Sequence, residues 1–220
     1  MGVRKKIHAH FFTQWTSDMA YVLGFLFADG NITRTKRGGY YIAFHSADRA
    51  LLASIRSKMG SAHKLSKRSA RSGNVYRFQI GSKKMYQDVC VLGLTPHKAS
   101  RMKFPAVPPE FLKDFVRGYF DGDGNVWVGN MHRERKKRVM SLQVSFTSAS
   151  HAFLDFLLHN LRSVGLTGGS LFRLKSKNAS RLTFASRDAV KLSSFMYNAP
   201  CKLYLPRKKK VFERFAKMRE

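Results

Sequence analysis

Two aspartates, Asp29 and Asp123, stand out because each is followed by glycine and each closes a matched apolar segment. The first segment runs Val22-Leu23-Gly24-Phe25-Leu26-Phe27-Ala28-Asp29-Gly30-Asn31. The second, 94 residues later (123 − 29), runs Val116-Arg117-Gly118-Tyr119-Phe120-Asp121-Gly122-Asp123-Gly124-Asn125. A single Asp-Gly is an ordinary helix ending. Two in register, each behind a pair of small residues spaced i, i+4 (Gly24 with Ala28, Gly118 with Gly122), suggest two helices that touch through those faces. Such packing brings both carboxylates to one end of the pair. Adjacent carboxylates repel unless a cation lies between them. All-oxygen donors suit a hard divalent ion, and Mg²⁺ commonly takes one or two carboxylates together with phosphate oxygens and water. Mn²⁺ or Ca²⁺ fits the same donors. An EF-hand reading of Asp121-Gly122-Asp123-Gly124-Asn125 fails, because the sixth and twelfth positions are Val126 and His132 instead of Gly and Glu.

The elements that must position these acids repeat as well. Arg77-Phe78-Gln79-Ile80-Gly81-Ser82 answers Arg181-Leu182-Thr183-Phe184-Ala185-Ser186, and Pro96-His97-Lys98 answers Pro200-Cys201-Lys202, both offset by 104 (181 − 77). The halves divide as 1–104 and 105–220, joined at about 103–109, where Pro105, Pro108 and Pro109 stiffen the chain. Within the first half, Thr16 or Ser17 caps a helix that Gly30 ends; Pro109-Glu110 opens its counterpart, which Gly124 ends. Alternation predicts strands over Tyr40–Ser46, about Lys64–Arg68 and Val75–Ile80, then Ser141–Thr147, Leu171–Lys175 and Arg181–Phe184. Amphipathic helices are expected over Asp48–Met59 and Ser150–Val164, and a further helix closes each half. The order αββαββα, twice, with hairpin-length connections, predicts an α+β fold with antiparallel sheets.

The charge balance names a class of partner. With 41 Lys+Arg against 13 Asp+Glu, the 220-residue chain carries +28. Its 44% hydrophobic content is that of a folded protein. Self-repulsion on this scale calls for a polyanion, either nucleic acid or an anionic membrane. No apolar run reaches the ~20 residues that span a bilayer, and the longest, Met19 to Ala28, stops at Asp29. No membrane partner is therefore expected. Two cysteines, Cys90 and Cys201, form no bridge framework and favour a reducing, intracellular setting, either prokaryotic cytoplasm or organelle. The basic run Arg207-Lys208-Lys209-Lys210 reads as a phosphate-contacting helix, an import signal or a solvated tail.

The paired segments, Val22 to Gly30 and Val116 to Gly124, resemble the LAGLIDADG motif of homing endonucleases in the double-motif, single-chain form. That resemblance implies a monomer with internal pseudo-twofold symmetry. Its motif helices pair at the interface, and its two curved antiparallel sheets form a saddle on double-stranded DNA. It further implies Mg-dependent hydrolysis of one phosphodiester on each strand of a long, nearly asymmetric target, with short 3′ overhangs and promotion of intron or intein homing. The metal ligands it implies are the Asp29 and Asp123 carboxylates and the Ala28 and Gly122 carbonyls. Phe27 departs from the signature's usual acid, at a position that does not bind metal. The family also places a lysine and a polar residue near each scissile phosphate. Register nominates Lys98 and Lys202 for the first and Ser46 and Ser148 for the second. An RNA-binding maturase acting on intron RNA, and a catalytically silent DNA-binding regulator, are the alternatives on the same scaffold.

Strand period nominates the side chains that face DNA. With Ile42 and Phe44 turned to the core, Tyr41 points away; with Leu142, Val144 and Phe146 inward, so do Ser141, Gln143 and Ser145. The outer strands nominate Lys64, Ser66, Arg68, Arg77 and Gln79, and then Arg173, Lys175, Arg181 and Thr183. Beyond the acids, alternate positions nominate Thr33, Thr35 and Arg37, and Trp127, Met131 and Arg133. These faces are nearly free of acids, and Arg and Gln suit guanine and adenine edges in the major groove.

Overall fold

A computed structural model describes residues 7–70, 73–96, 101–131, 139–175 and 178–219, apart from the side chains of Ala70, Met131 and Val139. The chain forms two compact units, divided between Gly122 and Asp123.

The first unit opens with α1 (Ser17–Asp29), whose N-cap Thr16 accepts a hydrogen bond from Met19 N at 3.1 Å. Every residue from Met19 to Ala28 is buried, as expected of a helix that is apolar all round. The chain passes from Asp29 directly into β1 (Gly30–Arg34), which pairs antiparallel with β2 (Tyr40–Ser46). Next come α2 (Arg49–Lys58), β3 (Ser66–Ala70), β4 (Gly73–Gly81) and α3 (Lys83–Val91). The sheet order is β1-β2-β4-β3, antiparallel throughout. Its inner face carries Ile32, Ile42, Phe44, Phe78 and Ile80, and the Phe44 and Phe78 rings stack at 4.9 Å. Leu51, Leu52 and Ile55 of α2 and Met85 and Val89 of α3 are also buried.

The helix α4 (Pro109–Asp123) lies in this unit up to Gly122, which is why the spatial division falls later than the repeat boundary at 104/105.

The second unit repeats the plan with β5 (Gly124–Met131), β6 (Val139–Ser148), α5 (His151–Ser163), β7 (Ser170–Arg173), β8 (Ser180–Ala185) and α6 (Ser186–Tyr197). Its sheet order, β5-β6-β8-β7, matches the first. It adds α7 (Pro206–Lys217), the basic run, which packs on the edge strand β5. Lys208, Phe212 and Phe215 are its buried face. The expected α+β class and the doubled αββαββα order are therefore present, with α7 appended to the second copy. Among the described residues, no helix is long and apolar enough to cross a membrane.

Candidate metal and nucleic-acid site

The small residues of α1 and α4 do what their spacing predicts. A Cβ placed on Gly24 would overlap the carbonyl oxygen of Phe115 and lie 2.9 Å from Tyr119 N. One on Gly118 would overlap the Tyr21 carbonyl and lie 3.0 Å from Phe25 N. Further along, a Cβ on Gly122 would run into that of Ala28 and sit 3.3 Å from Asp29 N. The rings of Trp15 and Phe111, just before α1 and early in α4, stack at 6.3 Å. The helices therefore run parallel, backbone against backbone, a contact only glycine allows at this distance. Polar groups are bound into the same core. Tyr21 donates its hydroxyl to Asp121 Oδ2 at 2.7 Å, Arg117 pairs with Asp114, and the Arg117 guanidinium lies 5.5 Å from the Tyr21 ring centre.

Each acid is the last residue of its helix, and the following glycine is the first residue of a strand: Gly30 faces Phe44, and in the second unit Gly124 faces Phe146. Asp29 is half-buried and Asp123 exposed. A carboxylate at a helix C-terminus meets the negative end of the dipole, where a cation is favoured instead. Neither helix has a basic residue in its last turn. Carboxylate and carbonyl oxygens of this kind are the donors that a hard divalent ion takes. Among the described residues there is no cluster of three or more His, Cys, Asp or Glu side chains elsewhere to hold one.

Lys98 and Arg133 lie outside the described residues, as does the side chain of Met131, whose backbone ends β5. Lys202 is exposed in the connection between α6 and α7. Ser46 and Ser148 each bind backbone just before a helix. Ser46 Oγ accepts from Asp48 N at 3.0 Å, and Asp48 in turn caps α2 at Leu51 N. Ser148 Oγ accepts from Ser150 N at 3.1 Å, and Ser150 caps α5 at Phe153 N. Both serines share the parity of the core residues before them on β2 and β6.

On the outward face of the first sheet, register groups Thr33, Tyr41, Arg77, Gln79, Ser66 and Arg68. Arg77 donates to Gln79 Oε1. Thr35 lies past β1, where its hydroxyl oxygen accepts from Gly39 N at 2.9 Å and closes the turn that carries exposed Arg37. Lys64 is exposed, two residues before β3 begins. On the second sheet, Trp127, Gln143, Thr183 and Arg181 share the outward face. Ser141 and Ser145 have that parity but are 5% and 8% exposed. They sit on a central strand, and the Trp127 ring is laid over Gly129, the residue opposite Ser141.

The outward facing expected of Arg173 and Lys175 as strand residues requires a correction. Leu171 pairs with the buried Leu182, so Arg173, two residues on and opposite the buried Ser180, belongs to the same inner side, though exposed on the edge strand β7. Lys175 lies beyond the strand. Ser170 and Phe172 face outward instead, opposite Thr183 and Arg181.

Three positions escaped the sequence reading. His45, opposite Arg77, and Thr147, opposite Arg181, continue the outward rows past the level of Gly30 and Gly124. Carrying the strand period one step further would have found them. Lys208 is 5% exposed and donates to the Gly124 carbonyl at 2.6 Å, beside Asp123 in sequence. Its spacing with Phe212 and Phe215 (i, i+4, i+7) was the available signal.

A duplicated α+β protein with glycine-paired parallel helices, each ending in an acid that leads into a sheet, is a narrow structural class. The family model of the LAGLIDADG-like domain matches residues 110–191. No curated protein sequence matches the chain. Among solved structures, it is similar to the LAGLIDADG meganuclease I-AabMI bound to uncleaved DNA, at 17% identity and a TM-score of 0.62, covering 90% of this chain and 88% of that one. It is also similar to the homing endonuclease I-WcaI bound to its DNA recognition sequence, at 17% identity and a TM-score of 0.59, covering 96% and 93%. I-SmaMI, bound to an uncleaved DNA target in the presence of calcium ions, is similar at 15% identity and a TM-score of 0.60, covering 93% and 90%. The chain as a whole has the fold of the double-motif LAGLIDADG homing endonucleases.

Proposed function

We propose that this chain is a site-specific endonuclease that hydrolyses both strands of double-stranded DNA with the help of Mg²⁺, acting as a monomer. The observation that carries the reading is the approach of Gly122 to Ala28 and the Asp29 backbone. Asp123 is the next residue in the chain, its Cα ~3.8 Å from that of Gly122. Asp29 and Asp123, together with the Ala28 and Gly122 carbonyls, would hold the metal. A divalent ion held there would supply polarisation of the phosphate, activation of water and stabilisation of the leaving oxygen. Lys202 and Lys98 stabilise the charge that builds on the phosphate. The outward sheet faces, rich in Arg and Gln and free of acids among the described residues, take the major groove. The fold-relatives bound to DNA, one of them with calcium, support the choice of substrate.

The test begins with selection of cleaved sites from a randomised DNA pool. Mg²⁺-dependent double-strand cleavage of the enriched site is expected, abolished by Asp29→Asn with Asp123→Asn while binding persists. Unchanged cleavage by that double variant, or binding without cleavage in both Mg²⁺ and Mn²⁺, overturns the reading.

A further inference from the structure

The outward face of the second sheet carries an aromatic ring where a basic side chain was expected. Phe172 is 44% exposed on the edge strand β7 and lies directly opposite Arg181 on β8. No other ring among the described residues packs on it, and Arg181 has no side-chain hydrogen bond or ion pair among them. A long apolar side chain on an exposed sheet edge is a liability for a free protein, so what it meets when bound matters. Trp127, the other exposed aromatic on this face, differs in having its ring laid on Gly129.

In the major groove only thymine, through its C5-methyl group, presents an apolar base edge; guanine presents the acceptor pair that arginine reads. Directly opposed residues in antiparallel strands stand ~5 Å apart at Cβ, close to the ~3.4 Å rise between stacked bases. Resting on the DNA-endonuclease reading above, we infer that Phe172 and Arg181 act as one recognition pair. Phe172 receives the methyl of a C5-methylated pyrimidine, and Arg181 reads a neighbouring guanine. The chemistry is contact with a methyl group, so an unmethylated pyrimidine with the same hydrogen-bonding pattern is discriminated against.

Uracil differs from thymine by that methyl alone. Each thymine of the selected target is replaced singly by uracil, and binding is measured in Ca²⁺. One position is expected to weaken binding by about 4-fold, the change that burying one methyl group implies. Phe172→Ala should bind the thymine and uracil forms of that position equally, whereas Phe172→Leu keeps the preference. Arg173→Ala, on the other side of the strand, keeps it too. Thermal unfolding separates a folding defect from a recognition defect, and the Phe172→Leu arm remains decisive if Phe172→Ala is unstable. Uracil sensitivity in Phe172→Ala equal to that of the unmodified protein, or no sensitive position at all, overturns the inference and leaves the nuclease reading standing. Failure of the pool to yield any enriched site overturns both.

Discussion

Gly118 faces the carbonyl of Tyr21 so closely that a single added methyl group would overlap that oxygen. The obstacle is helix backbone, so it cannot rotate aside. Gly118→Ala should therefore destabilise the protein by at least about 3 kcal/mol, the upper end of overpacking costs, lowering Tm by roughly 6 °C or more. Urea unfolding measures it, and a loss below about 1 kcal/mol would mean the helices are not in backbone contact.

Removing charge from the candidate metal ligands should separate binding from chemistry. Asp29→Asn and Asp123→Asn, singly, are each expected to slow cleavage of the selected site by at least ~10²-fold, the scale of losing one electrostatic stabiliser in an active site. DNA affinity in Ca²⁺ should change little. Gel-based cleavage and binding assays on the same preparations compare the two.

The buried carboxyl of Asp121 accepts the Tyr21 hydroxyl at 2.7 Å. Tyr21→Phe keeps the ring and deletes that donor, so a loss of about 1.5–3 kcal/mol is expected, as for hydrogen bonds to charged groups. A double-mutant cycle with Asp121→Asn should show coupling of at least ~0.5 kcal/mol. Additive effects would place the hydrogen bond outside the energetics of the helix pair.

Lys208 is buried with its ammonium on the Gly124 carbonyl. Lys208→Met preserves the apolar stem and removes the donor, which should cost about 1.5–3 kcal/mol. Exposed Lys210→Met should stay within about 0.5 kcal/mol. Equal effects in chemical denaturation would demote α7 to a tail.

Binding should be steeply salt-dependent. With ~6–10 phosphate contacts, affinity falls by about 10³–10⁵ between ~50 and ~200 mM salt. Fluorescence anisotropy against a labelled target gives the slope, and a flat response contradicts a phosphate-neutralising basic face.

Much of the fold was legible in the residues because local rules and the duplication agreed. Thr16, Gly30 and Pro109 bound their helices as capping chemistry requires. Tyr40–Ser46 is the strand that alternation predicted. Asp29 and Asp123 stood out because their surroundings repeat. The sheet faces were read less well. The inward set of β2 was clear from Ile42 and Phe44, but the parity of β7 had only Leu171 to decide it, and its partner Leu182 belongs to another strand.

What the chain alone determined is therefore the periodic and repeated part: helix limits, the order of elements along the chain, small-residue faces and the two acids that follow them. Tertiary structure decided what depends on a partner distant in sequence. Pairing with β8 turned Phe172 outward in place of Arg173, Ser141 and Ser145 came to lie buried on the central strand β6, and α7 buried Lys208 against Gly124. Local conformation follows from the energetics of a few neighbouring residues. The side a strand residue faces, and the depth at which it sits, follow from the strand and helix packed against it.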